Sequence, residues 1–163
     1  SESKFCKYTG EKIEEIQITD PRIKEAKACD FNRLYCIGRG GFSKVWKVEH
    51  SESKEIYAMK IISKKKIYMK RSLASLINEK EILKSLNYPL IVNLDFSFHD
   101  NNYAYLLMNY AECGDLRRIL NESVRISEEK TKFIVACMLL SLEYIHEKTL
   151  IHRDIKPENI ILD

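Results

Sequence analysis

The apolar residues of this chain change their spacing along its length, and that change limits the folds it can adopt. After residue 30, three short runs rich in β-branched and aromatic residues are separated by turn-forming residues, which is typical of antiparallel strands. Over 72–86 the apolar spacing becomes helical, two more strand-like runs follow at 91–98 and 103–109, and the chain after Gly114 is mostly helical. This order predicts an α+β fold in which a small antiparallel sheet with one helix precedes a helical region.

Local signals mark the ends of the predicted helices. The stretch 87–89 ends the first helix, because the residue before Pro89 avoids helical backbone. Ser127 is the predicted N-cap of a later helix that runs to about Glu147. We expect 150–163 to form a loop and one short strand.

Composition excludes several classes of protein. The chain is 45% hydrophobic and 31% charged with a formal net charge of +3, which argues against a disordered or collagen-like chain and gives no indication of a nucleic-acid partner. It has no signal-peptide pattern and no run of about 18 apolar residues that would span a membrane. The widely spaced cysteines, without a Cys-x-x-Cys pair, predict free thiols in a reducing compartment, cytoplasmic or nuclear with the cytoplasm favoured; they are Cys6, Cys29, Cys36, Cys113 and Cys137.

A glycine cluster, Gly38-Arg39-Gly40-Gly41-Phe42-Ser43-Lys44-Val45, lies between two predicted strands. Glycines in such a place let the backbone approach an anion and present N–H groups to it. In a dinucleotide-binding fold a helix would begin at these glycines, whereas here a strand is predicted to follow. A Walker A loop would need Gly-Lys-Ser/Thr, which is absent, so both kinds of site are disfavoured. A plain hairpin turn remains the alternative.

One lysine and one glutamate lie in apolar surroundings. Lys60 interrupts the apolar strand 57–62, and Glu79 lies on the apolar face of the predicted helix with no cation within helical reach. A buried charge requires a partner, so Lys60 is a candidate partner for Glu79. Alternatively, both side chains extend to solvent.

The stretch 151–159, Ile-His-Arg-Asp-Ile-Lys-Pro-Glu-Asn, is the most specific string in the chain. Its Asp154 can orient a hydroxyl and accept the proton, Lys156 can neutralise phosphate charge, and the amide oxygen of Asn159 can bind Mg²⁺. That combination suits phosphoryl transfer. A solvated charged loop is the alternative.

With these motifs in this order, residues 30–163 resemble the first part of a eukaryotic protein kinase domain. The resemblance implies an N-terminal antiparallel β-sheet lobe with one regulatory helix (30–110), followed by the start of a mainly α-helical C-terminal lobe (111–163), with 1–29 as an N-terminal extension. Four strings are most similar to the AGC group of serine/threonine kinases: 30–45, 78–83, 95–98 and 156–159. The string 113–117 is similar to the YANK-like branch of that group.

The resemblance implies ATP and Mg²⁺ as cofactors and assigns a role to individual residues. The phosphates would be covered by Gly38, Arg39, Gly40, Gly41, Phe42 and Ser43, and held by Lys60, which would pair with Glu79. The adenine would lie among Ile37, Val45, Ala58, Leu116 and Ile161, with Met108 as gatekeeper, Asn109, Tyr110 and Ala111 as hinge, and Asp115 at the ribose. Asp154 would be the catalytic base, Lys156 the γ-phosphate cation, Asn159 the metal ligand with Glu158 beside it, and Leu83, Leu94 and His152 part of an apolar stack.

The resemblance also bears on partners. It implies protein substrates, with serine or threonine favoured over tyrosine because of Lys156, and leaves the upstream activator open. Asp115 and Glu158 resemble acidic positions that favour arginine or lysine before the target residue, and Arg153 resembles an arginine that pairs with a phosphorylated activation loop. The basic run from Lys64 to Arg71 is predicted to be a solvated connector rather than a docking site.

The sequence departs from the family pattern in two respects. Ser43 replaces the third glycine of the loop, and neither Asp-Phe-Gly nor Ala-Pro-Glu follows the catalytic stretch. We therefore expect a fragment that lacks normal catalysis alone, with an exposed apolar face on its last helix. The alternatives to an active kinase seen in part are a pseudokinase or nucleotide-binding scaffold, and a truncated, non-functional gene product.

Overall fold

The computed structural model describes residues 26–41, 43–69, 73–122 and 125–162. Most of the predicted extension, Phe42, and the Lys70-Arg71 end of the basic run lie outside these residues. The chain divides into two compact units: the first comprises the residues up to Ser85 together with Asn93–Tyr110, and the second comprises Leu86–Val92 and the residues from Ala111 onward.

The elements follow the order expected of an α+β protein. In the first unit they are β1 (Phe31–Arg39), β2 (Ser43–His50), β3 (Ile56–Ser63), α1 (Lys64–Met69), α2 (Leu73–Ser85), β4 (Leu94–His99) and β5 (Tyr103–Asn109). In the second unit they are β6 (Gly114–Asp115), α3 (Leu116–Glu122), α4 (Glu128–Glu147) and β7 (Ile161–Leu162). Short 3-10 turns lie at Ala28–Asp30 and Pro157–Asn159.

Five antiparallel strands form the sheet of the first unit, in the order β1-β2-β3-β5-β4. Its register places Gly38, Val45, Lys60 and Leu106 side by side across the first four strands of that order. Directly opposed residues of antiparallel strands lie on the same face, and so do residues two apart on one strand. Val45, Lys60 and Ala58 therefore share one face of the sheet.

The opposite face carries the main hydrophobic core. Met59, Val48 and Leu107 are fully buried there, and aromatic rings surround them, such as Phe98 stacked on Tyr105 at 4.8 Å between ring centroids. Each such side chain contributes about 1.5–3 kcal/mol to stability when it leaves water. The buried members of this core are Phe31, Val48, Tyr57, Met59, Ile61, Phe96, Tyr105 and Leu107.

A second, smaller cluster adds a packed side chain to the predicted connector. The described part of the basic run, Lys64–Met69, is helical, and its Ile67 is buried with Ile62 of β3 and Leu106 of β5. Leu83 of α2 packs against the same cluster, which holds α2 beside β3. Lys65 and Lys66 of α1 are exposed, whereas Lys64 Nζ contacts His99 Nδ1 at 3.2 Å and donates to the carbonyl of Asp100.

The strand predicted at 91–98 is shifted in the structure. β4 begins at Leu94 and continues to His99. The backbone N–H of Ile91 donates to the carbonyl of Tyr88 at 3.0 Å, which forms a turn and keeps 91–93 out of the sheet. The helix predicted at 72–86 is confirmed as α2, and its end differs by one residue from the predicted end. The other predicted strands are confirmed too, and most of their ends, the start of β2 among them, differ by one or two residues from the prediction.

α4 is the long helix of the second unit, and its N-cap is the one predicted. The Ser127 hydroxyl accepts a hydrogen bond from the backbone N–H of Lys130 at 3.3 Å. Several of its apolar side chains are exposed, with Phe133 at 71% and Leu139 at 61% of their full accessible area, as the sequence predicts, whereas Ile145 is buried. In the part of the chain that the structure describes, none of the helices combines the length and the apolar character that crossing a membrane requires.

Candidate active site

The glycine cluster forms the tip of the β1–β2 hairpin. Gly38 pairs with Val45 and Arg39 with Lys44, and the backbone N–H of Gly40 donates to the carbonyl of Ser43 at 2.9 Å. Because this turn closes two strands of a sheet, the dinucleotide-binding alternative is excluded: no helix follows the glycines. Ile37 lies at an irregularity of the β1–β2 ladder and is 44% exposed.

The protein's own packing does not require a glycine at position 38 or 41, whereas a Cβ at Gly40 would lie 3.3 Å from Ser43 Oγ. A Cβ added to Gly41 would meet nothing within 4 Å, and one added to Gly38 would make only an ordinary contact with Val45, at 3.7 Å. Among the described glycines only Gly114 has a positive φ. The open space at Gly38 and Gly41 fits a ligand that approaches the backbone closely, such as a phosphate.

The structure brings Lys60 and Glu79 together. Lys60 Nζ on β3 donates to Glu79 Oε1 on α2, and the side chains retain 26% and 43% of their accessible area. The carboxylate on the apolar helix face thus finds its partner on the adjacent sheet rather than in solvent. The register places the Lys60 ammonium on the same face as Gly38 and Val45, beneath the strands that carry the glycine turn.

The residues predicted to line the adenine divide between the two units. Ala58 is directly opposed to Met108 on the Lys60 face of the sheet, and Asn109 and Tyr110 continue from Met108 at the end of β5. Ala111, Asp115, Leu116 and Ile161 belong to the second unit, where Asp115 pairs with Ile161 in the short β6–β7 ladder. The short strand predicted within 150–163 is β7, whereas its partner β6, with only two residues, was not predicted.

In the second unit, the stretch that follows α4 gathers three polar side chains. Lys156 Nζ lies 2.8 Å from Asp154 Oδ2, and Asn159 Nδ2 donates to the same oxygen at 3.0 Å and to the carbonyl of Asp154 at 2.8 Å. The backbone N–H of Asp154 donates to His152 Nδ1 at 3.3 Å, and Arg153 between them has a left-handed φ of 66°. The turn therefore presents one carboxylate with an ammonium and an amide each within hydrogen-bond distance of it.

These contacts set the charge of the cluster. Hydrogen bonds from Lys156 and then Asn159 hold the pKa of Asp154 below its usual value, and the same bond to Asp154 raises the pKa of Lys156. Asp154 is therefore a carboxylate and Lys156 an ammonium throughout the neutral range. Both side chains are exposed, which leaves them accessible to a substrate.

The donor set also fits Mg²⁺. The Asn159 amide nitrogen is directed at Asp154, so its amide oxygen is the atom available to a cation, and carboxylate and amide oxygens are the ligands that this ion prefers. Within the described ranges, His, Cys, Asp and Glu residues nowhere gather in a group of three or more that could hold a metal ion. Asn159 would supply one ligand and would leave the other positions on Mg²⁺ to water and phosphate.

Backbone contacts hold this stretch in place. The N–H of Leu116, at the start of α3, donates to the carbonyl of Ile160 at 2.8 Å, next to the β6–β7 ladder. Pro157–Asn159 forms a 3-10 turn in which the N–H of Asn159 donates to the carbonyl of Lys156 at 2.9 Å. This turn brings the Asn159 side chain back to Asp154.

Two carboxylates of the second unit already have partners that the sequence did not reveal. Glu158 Oε1 accepts from Arg117 Nε at 2.9 Å, and Asp115 Oδ1 accepts from the backbone N–H of Arg118 at 2.7 Å as a helix cap. The Glu158 pKa is lowered by a backbone hydrogen bond and then by the Arg117 bond. Arg117 and Glu158 are far apart in the chain, and no local spacing pattern could have paired them.

Comparison with known proteins agrees with this geometry. Residues 31–163 match the family model described as the protein kinase domain. The match begins at the first residue of β1 and covers both units.

Three relatives illustrate the similarity. The chain is 39% identical over 141 residues to the serine/threonine-protein kinase sgk-1 of Caenorhabditis elegans, with 86% of this chain and 30% of the relative covered. It is 41% identical over 137 residues to the serine/threonine-protein kinase SCH9 of Saccharomyces cerevisiae, with 82% and 17% covered. It is 35% identical over 141 residues to the RAC family serine/threonine-protein kinase homolog of Dictyostelium discoideum, with 86% and 32% covered. The chain thus spans less than a third of the length of each of these relatives.

Proposed function

Because this chain belongs to the protein kinase family, with relatives of the AGC type as its sequence predicts, we propose that it supplies the ATP-binding and hydroxyl-orienting groups of a serine/threonine kinase. The kinase transfers the γ-phosphate of Mg-ATP to serine or threonine hydroxyls of protein substrates. The observation that carries the proposal is the cluster in which Lys156 and Asn159 both lie within 3.0 Å of the same Asp154 carboxylate oxygen.

The first unit supplies the groups that hold the nucleotide. The glycine turn offers backbone N–H groups with room for a phosphate at Gly38 and Gly41, and Lys60 supplies a positive charge that Glu79 orients. Val45, Ala58 and Met108 provide an apolar surface on the same face for the base.

The second unit supplies the groups that act on the hydroxyl. Asp154, with its lowered pKa, is a weak base, so its first task is to accept a hydrogen bond from the substrate hydroxyl and aim the oxygen at the phosphorus. Asp154 takes the hydroxyl proton late, when the attacking oxygen has begun to share its lone pair with phosphorus and ADP has begun to leave. Lys156 stabilises the charge on the transferred phosphoryl group, and Asn159 would hold Mg²⁺, which supplies further neutralisation of phosphate charge when bound. The resemblance implies a second metal ligand, an aspartate, at a position beyond Asp163.

Replacing Lys60 with methionine tests the nucleotide site. We expect Lys60→Met to raise the Kd for a fluorescent ATP analogue about ten- to hundred-fold, the worth of a hydrogen bond to a charged group. Lys65→Met on the exposed side of α1 is the matched control and should leave the Kd unchanged. Titration by fluorescence anisotropy measures both, with melting temperatures to show that the variants fold. A Kd for Lys60→Met within two-fold of the wild type would contradict the assignment.

We further propose that substrates carry a basic residue near the target, read by the exposed carboxylate of Glu158 and the half-buried carboxylate of Asp115. Arg117 Nε already donates to Glu158 at 2.9 Å, so a substrate cation must displace Arg117 from this carboxylate. The expected preference for a basic over a neutral upstream residue is therefore modest, about two- to five-fold in rate. This preference is measured as the ratio of initial rates on two serine peptides that differ only in an upstream arginine or alanine. The enzyme is the longest protein that the transcript encodes. Equal rates on the two peptides would rule out this part of the proposal.

The free thiols support an intracellular, cytoplasmic location. Cys29, Cys36, Cys113 and Cys137 are all unbridged in the described residues, which suits a reducing compartment. Fractionation of cells that express the tagged protein tests this, and recovery from the secretory pathway would refute it.

A further inference from the structure

Two tyrosines form a bridge across the sheet of the first unit. The hydroxyls of Tyr35 and Tyr110 lie 2.8 Å apart in a hydrogen bond. Tyr35 is on β1, and Tyr110 directly follows the last residue of β5. Strands β2 and β3 lie between them in the sheet, so the two side chains span three strand spacings, about 14 Å on a flat sheet.

Lys47 of β2 lies beneath this bridge. Its Nζ is 4.3 Å from the centroid of the Tyr110 ring and 5.7 Å from that of Tyr35. An ammonium at these distances is attracted to the faces of both rings. The bridge and Lys47 therefore form one cluster, the Tyr35–Lys47–Tyr110 clamp, which ties the start of the hairpin to the end of β5.

The register places the clamp beside the groups proposed to hold the nucleotide. Tyr35 is opposed to Lys47, Lys47 to Ala58, and Ala58 to Met108, which makes a straight row across four strands. The adjacent row, two residues nearer the glycine turn, contains Val45 and Lys60. Both rows lie on the same face of the sheet, so the clamp borders that face at the end remote from the glycines.

We propose that Tyr35, Lys47 and Tyr110 are positioning residues for the nucleotide: they hold the end of β5 against the β1–β2 hairpin and fix the width of the face on which the base lies. This inference rests on the proposed function, since it presupposes that the face binds a nucleotide. The clamp acts by pre-organisation, because an end of β5 that is already held loses less conformational freedom when the base binds. No side chain of the clamp needs to touch the phosphates.

Three conservative variants test the clamp through nucleotide affinity. Tyr35→Phe and Tyr110→Phe each remove one hydroxyl of the bridge and keep the ring. We expect each to raise the Kd for a fluorescent ATP analogue about two- to ten-fold, the range of one hydrogen bond. The double variant should bind the analogue with the same Kd as either single variant, because all three lack the same hydrogen bond. Tyr103→Phe, an exposed tyrosine at the opposite end of β5, is the control and should bind as the wild type does.

A second measurement separates the clamp from a general loss of structure. The hydrogen bond with Tyr35 is the main cause that raises the pKa of Tyr110, and burial adds to it while Lys47 opposes it. In Tyr35→Phe the Tyr110 hydroxyl, followed by NMR of ¹³C-labelled tyrosine, should titrate at lower pH than in the wild type, with an unchanged melting temperature. If this titration shifts and ATP affinity does not, or if the affinity falls only together with the melting temperature, the positioning role is wrong. A wild type that binds no nucleotide would overturn the proposed function, and the inference with it.

Discussion

Replacing Asp154 with asparagine is expected to lower the rate of phosphate transfer to a serine peptide by about 10²- to 10⁴-fold, the usual contribution of a positioned acid or base. Asparagine keeps the shape of the side chain and can still accept the hydrogen bond from Asn159 Nδ2. It removes the negative charge that orients the hydroxyl and that holds Lys156 at 2.8 Å. The measurement is kcat with a saturating peptide, made on the longest protein that the transcript encodes.

The fold should survive this change, because the Asp154 side chain is 61% exposed. We therefore expect ATP affinity and melting temperature close to those of the wild type. Glu122→Gln is the matched control: it removes an exposed carboxylate of α3, which pairs with Arg118 at 3.2 Å, and should leave kcat unchanged. A rate for Asp154→Asn within about three-fold of the control would show that Asp154 is not the hydroxyl-orienting group.

Replacing Met59 with alanine is expected to destabilise the first unit by about 2–5 kcal/mol. Met59 has no accessible area and lies among Val48 and Leu107, which are also fully buried, so its removal leaves a cavity that rigid strands cannot close. Urea unfolding followed by the fluorescence of Trp46, the single tryptophan, measures the effect. Trp46 is directly opposed to Met59 and packs on the same core, which makes it a local probe.

Met69→Ala is the control for this experiment. Met69 ends α1 with 73% of its area exposed, and its replacement should change stability by no more than about 0.5 kcal/mol. The two variants delete the same atoms at sites that differ in burial. Equal midpoints for Met59→Ala and Met69→Ala would show that the described core does not stabilise the protein.

Most of the candidate site could be predicted because its signals are local. Lys60 is a charge in an apolar strand, and Glu79 is a charge on an apolar helix face, so each required a partner, and the sheet register now places Lys60 within reach of Glu79. The Asp154 cluster is contained in six consecutive positions, 154–159, where the 3-10 turn folds Asn159 back onto Asp154. The strands of the first unit followed from β-branched and aromatic runs for the same reason.

What the sequence missed depends on contacts between distant positions. The sequence of α1 is typical of a solvated lysine run. Its helix packs Ile67 against Ile62 and Leu106, which are distant from it or on another strand, and no local pattern predicts that contact. The turn at Tyr88–Ile91 interrupts an apolar run that has no period of its own. The Arg117–Glu158 pair joins residues 41 apart and the Tyr35–Tyr110 bridge residues 75 apart, beyond the reach of any spacing rule.

Transfer of labelled γ-phosphate from Mg-ATP to a serine peptide by the longest protein that the transcript encodes is the most direct test of the central claim. The account predicts phosphoserine in the product, a requirement for Mg²⁺, and loss of the signal in Asp154→Asn. ATP binding without any transfer, in a protein that is folded, would contradict the kinase assignment and favour a nucleotide-binding scaffold instead.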